Sequence, residues 1–132
     1  GSNQLLGQTL QNLSGYAGAL RDWATARTAA TASIRLSRRS GDRMQLSFAV
    51  QSLAVVAAGI ERYDDAARLI GFCDARSGTL HPHRQADQLE DLQYRRLMAL
   101  LSERLEPEEL AALQREGAAF TEDEAVALAL AI

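Results

Sequence analysis

The chain has 132 residues, the size of one domain, and a helical chain of that length buries roughly two-thirds of its unfolded surface. Its 47% hydrophobic and 23% charged residues fit an ordinary soluble globular domain, and no apolar run approaches the ~18–20 residues a membrane span needs. Fourteen basic residues, all of them arginine, against seventeen acidic ones give a net charge of −3, which exerts no global pull on nucleic acid or anionic membrane.

Gly1-Ser2 reads as the remnant of a cleaved tag, so a single domain is expected over residues 3–132. The first helix is expected over 3–20, where Leu6, Leu10, Leu13, Ala17 and Leu20 form a stripe with Leu5 beside it. Gly15 and Gly18 are expected to fray its end. Asp22 is a suitable N-cap for a second helix, since its carboxylate can accept free N–H groups of the first turn. Trp23, Ala26, Ala30 and Ile34 give that helix its inner face. It should stop at Ser40-Gly41, where glycine takes the left-handed cap, and Arg35, Arg38 and Arg39 suit the negative end of its dipole.

A third helix begins at 42. Leu46, Ala49, Val50, Leu53, Ala54 and Ala57 recur at helical spacing, and Gly59-Ile60-Glu61-Arg62 breaks the pattern. Tyr63, Ala66, Ala67, Ile70 and Cys73 then mark a fourth helix. So short a link makes the two helices an antiparallel hairpin. Residues 77–83 read as a loop punctuated by Gly78 and Pro82. A long helix follows over about 83–104, with Tyr94, Leu97, Met98, Leu101 and Leu105 on one side. Pro107 opens a short helix that Gly117 closes. Thr121 and Glu124 form a capping box ahead of a final apolar helix.

The first four helices repeat. Trp23 and Tyr63 lie 40 positions apart, and so do Leu6 and Leu46, Leu10 and Val50, Leu13 and Leu53, Ala17 and Ala57, and Ala26 and Ala66. A period of this size signals stacked helix pairs. The expected fold is therefore all-α: an α-solenoid of antiparallel hairpins in a right-handed superhelix, with repeat pairs at about 3–40 and 42–77 and extra C-terminal helices over about 83–132. Trp23 and Tyr63 should occupy equivalent buried positions, each wedged between the two helices of its own pair.

Leu6-Gly7 in the first helix and the small Ala26 and Ala66 in the second helices resemble the tetratricopeptide repeat. Residues 41–132, and more loosely 3–40, resemble the C-terminal end of large bacterial signal-transduction ATPase regulators of the LuxR and cyclase-linked kinds. There a segment like GDRMQLSFAVQSLAVVAAGIERYDDAARLIGFCDARSG precedes a Pro-containing loop, a long helix and a terminus like GAAFTEDEAVALALAI. The resemblance implies a fragment of a cytoplasmic regulator whose ATPase and DNA-binding parts lie elsewhere.

Chemistry is sparse. His81-Pro82-His83 cannot place both rings on one helical face as a helix-borne zinc site does, and Cys73, flanked by Phe72 and Asp74, suits a small core residue better than a nucleophile. A single cysteine excludes an internal disulfide and fits a reducing compartment. The acidic pairs suit helix first turns, and the cluster Arg35, Arg38, Arg39 and Arg43 suits ion pairs with a neighbouring unit. No phosphate loop or nucleophile motif is present. The expectation is a non-enzyme with no cofactor, no metal and no nucleic-acid role, which contacts the rest of its parent chain or a protein partner. Gln8, Gln11, Asn12, Gln45, Ser47 and Gln51 are the candidate groove residues. The rival expectation is a small-molecule effector pocket near Tyr94, His81 and His83. The surplus of leucine on the first helix also predicts a homodimer through the first pair.

Overall fold

A computed structural model describes residues 2–80 and 89–132, with side chains described over 5–76 and 91–132. The described residues are all-α: α1 (Ser2–Ala19), α2 (Trp23–Ser40), α3 (Arg43–Gly59), α4 (Tyr63–Leu80), α5 (Leu89–Arg104), α6 (Pro107–Ala118) and α7 (Glu122–Leu130).

The repeat is visible in the backbone. At the end of α1 the N–H groups of Leu20, Arg21 and Asp22 donate to the carbonyls of Tyr16, Gly18 and Ala17. At the end of α3 those of Ile60, Glu61 and Arg62 donate to Val56, Ala58 and Ala57, the same pattern 40 residues on. Both are Schellman closures, which satisfy carbonyls left over at a helix end and need one residue in the left-handed region. Arg21 (φ 59°) and Glu61 (φ 67°) fill that place, and Gly41 (φ 73°) fills it between α2 and α3. Asp22 and Asp42 then cap α2 and α3, accepting from the N–H groups of Thr25 and Gln45 at 3.2 and 3.0 Å. The capping box of α7 is complete: Glu124 N–H donates to Thr121 Oγ1, and Thr121 N–H to Glu124 Oε1.

Each of α1 to α4 packs on the next along the chain, and α1 also meets α3 in the same layer, with Gln45 seated against Gly7. The core joins small side chains of α2 to larger ones: Ile34 of α2, Val50 and Leu53 of α3, and Leu69, Ile70 and Phe72 of α4 are all sealed from solvent. α6 lies antiparallel on α4 and touches it backbone to backbone. Gly71 faces the main chain of Gln114, and Gly117 faces that of Arg68. A methyl group at either glycine would meet main-chain atoms, which cannot step aside as a side-chain tip can. α7 rests on α3 and α4. Arg38 of α2 pairs with Glu122 and Asp123 at its start, and Arg62 Nη1 donates to the Ala131 carbonyl at its end, at 3.0 Å.

Three expectations change. Gly15 and Gly18 do not fray α1, which runs through to Ala19. Helix α4 continues to Leu80, although 77–80 read as loop; Gly78 costs a helix only about 1 kcal/mol against alanine, too little to end it. Trp23 reaches beyond its own pair: its ring stands beside Gly18 of α1 and also packs on Gly59, the last residue of α3, so it bridges to the next pair. Trp23 and Tyr63 each open a helix as expected, but both are half-buried.

Candidate functional site

The two repeated turns border a cleft of about 550 Å³. Its floor is made of small residues of α1 and α3, among them Gly15, Gly18, Ala58 and Gly59. Because Gly59 has no side chain, the Trp23 ring can pack directly against α3. Trp23 and Tyr63, equivalent in the repeat, supply the aromatic surface. α5 closes the far side with Leu92, Arg96, Leu100 and Arg104, spaced four apart on one helical face, and with Gln93 and Leu97 beside them. The two left-handed residues Arg21 and Glu61 line the cleft as well.

Among the described lining residues, three arginines therefore meet one glutamate in this cleft. The guanidinium of Arg104 stands 5.8 Å from the centre of the Tyr63 ring, within cation–π range. No described carboxylate pairs with Arg21, Arg96 or Arg104, whereas Arg38, Arg62 and Arg68 each have acidic partners.

Of the residues expected around an effector pocket, Tyr94 alone can be compared with this cleft. Tyr94 does not line it: α5 turns Tyr94 toward α4, where its hydroxyl donates to the Asp74 carboxylate at 3.0 Å. His81 and His83 lie outside the described residues. The face of α5 that carries Arg96 and Arg104 was legible as a four-residue spacing, but the leucine stripe beside it is the stronger pattern.

The six expected groove residues do not form one open surface. Gln8 and Asn12 are exposed and bonded to each other at 3.1 Å. Gln11, Ser47 and Gln51 are buried, and Gln51 donates to Gln93 of α5 at 3.0 Å. Gln45 is half-buried between α1 and α3. The covering helices differ: α5 covers Gln51, α1 lies against Gln45, and Cys73 of α4 packs at Ser47.

The open surface is apolar instead. Leu5, Leu6, Leu13, Tyr16 and Leu20 of α1 and its end are between 47% and 81% exposed and share one helical face. Their neighbours on the opposite face, Gly7, Gln11 and Ser14, are buried, so α1 has one packed side and one bare apolar side.

Elsewhere the side chains serve the fold. Cys73 is buried, and its thiol donates to the Ser47 carbonyl at 3.4 Å. Asp65 receives Arg62 and Arg68 at 2.6 and 3.1 Å. Among the described residues no group of three His, Cys, Asp or Glu side chains converges, and no helix is long and apolar enough to cross a membrane. Comparison with protein-family models, with curated proteins and with solved structures finds no match.

Proposed function

We propose that the chain is a non-catalytic, tetratricopeptide-like helical-repeat module of a cytoplasmic bacterial transcriptional or signalling regulator, and that it makes protein contact through the bare face of α1. The regulator setting rests on the sequence resemblance. One observation carries the contact. Leu6, Leu13 and Tyr16 are exposed, while their repeat equivalents Leu46, Leu53 and Val56 are 4%, 0% and 2% exposed. α3 packs against both α2 and α4 and also meets α1, α5 and α7, whereas α1 packs mainly on α2, with smaller contacts to α3 and α5 that leave its outer face bare. The bare face of α1 therefore matches an amphipathic helix that packs on it as α2 packs on α3. Exposed apolar patches on the order of several hundred Å² are typical of contact surfaces.

In the isolated protein a second copy is the available source of such a helix, and a two-fold pair is the commonest closed arrangement. Sedimentation equilibrium should give a dimer for the wild type and a monomer for Leu13→Glu with unchanged helix content. A wild type that stays monomeric at hundreds of micromolar would overturn the proposal.

A further inference from the structure

We infer that the cleft between α5 and the C-terminal ends of α1 and α3 is a binding site for a small organic anion with an aromatic or apolar body. It lies on the packed side of α1, away from the bare face proposed for protein contact, and does not depend on that contact.

Size comes first. A volume of about 550 Å³ lies inside the range of roughly 300–1,000 Å³ that small-molecule sites occupy. Chemistry comes second. Trp23, Tyr63, Leu92 and Leu100 offer flat and apolar surface, and Arg21, Arg96 and Arg104 offer forked donors on the same cleft. Forked donors match the paired oxygens of a carboxylate, sulfonate or phosphate. None of these three cations is neutralised by a described carboxylate, in a chain whose net charge is −3. With Glu61 the one acid among the described lining residues, against three arginines, the described cleft carries a positive excess on an acidic protein.

The backbone gives an independent reason. Arg21 and Glu61 stand at the left-handed position that Gly41 takes in the turn between them. A side chain there is strained, and such strain concentrates at ligand clamps. Both strained residues line this one cleft. The turns need only glycine; what arginine and glutamate add is a charged group at the cleft.

Trp23 is the only tryptophan of the chain, so its emission reports on the cleft. The probes are 8-anilinonaphthalene-1-sulfonate and its neutral parent, N-phenyl-1-naphthylamine, which lacks the sulfonate. The anion should bind one per chain, quench Trp23 by energy transfer and bind more tightly than the neutral parent. Replacing Arg96→Gln and Arg104→Gln together should weaken the anion roughly tenfold or more while moving the neutral probe less than about twofold. These arginines are exposed and make no ion pair with a described carboxylate, so the variant should keep its helix content. Leu92→Glu, a new carboxylate at an exposed edge of the cleft, should weaken the anion as well. Anion affinity that is unchanged in both variants would overturn the site. So would loss of anion binding in Leu13→Glu alone, since that places the probe on the outer face of α1.

Discussion

At the scale of single residues, the two left-handed side chains set stability against a charged cleft. An L-residue in that region costs roughly 1–2 kcal/mol where glycine costs none. Arg21→Gly and Glu61→Gly should each stabilise the protein by about 1 kcal/mol, read as a higher denaturation midpoint with an unchanged slope. Arg21→Gly should at the same time weaken the anionic probe. Asp22, next in the chain, gives a pH signature. Hydrogen bonds from the Thr25 side chain and N–H hold its carboxyl below the usual carboxylate range. A carboxyl whose folded value is depressed contributes stability above its unfolded value of about 3.9, and that contribution disappears as the pH falls through the folded value. Asparagine caps equally well but does not titrate. Thermal melts from about pH 5 down to pH 2 should therefore fall less steeply for Asp22→Asn than for the wild type.

At the scale of elements, α4 and α6 meet main chain against main chain, and the contact rests on two glycines. Gly71→Ala and Gly117→Ala would each drive a methyl group into the opposing main chain. Each should cost about 1–3 kcal/mol, the range for overpacking, although alanine is the better helix former. Gly18→Ala is the matched control. Its methyl would meet Trp23 and Val55 at an ordinary 3.8 Å, so the helix preference should win and the protein should gain up to about 1 kcal/mol. The contact was hidden from the sequence, because a glycine at a helix crossing has the same letter as a glycine at a helix end. Gly117 reads as a stop, and α6 does end one residue later, but the sequence does not show that this glycine is also buried against Arg68. Caps were far more legible. Asp22, Gly41 and the pair Thr121 and Glu124 act within four residues of themselves, so local sequence determines them. The polar groove was misplaced for the opposite reason: what covers Gln51 is Gln93, 42 residues away, and no local pattern announces that.

At the scale of the whole molecule, the 40-residue repeat makes identical side chains inequivalent, and this can be measured. Leu13 and Leu53 hold the same repeat position, on α1 and α3. Leu53 is fully buried between helices, while Leu13 is 47% exposed on the bare face. A glutamate at 53 would place an unpaired charge in the core, where desolvation is costly, and should destabilise by more than about 4 kcal/mol. Against a typical total of about 5–15 kcal/mol, that threatens the fold itself. A glutamate at 13 reaches water and should change stability by no more than about 0.5 kcal/mol. Leu46→Glu and Leu6→Glu should divide the same way, since Leu46 is 4% exposed and Leu6 48%. The comparison must be made at a protein concentration low enough for the wild type to be monomeric, because pairing through α1 would add an apparent cost at position 13. Urea unfolding of the four variants under those conditions decides it. Equal losses at 13 and 53 would mean that α1 buries its outer face within the same chain, and the contact surface proposed for it would not exist.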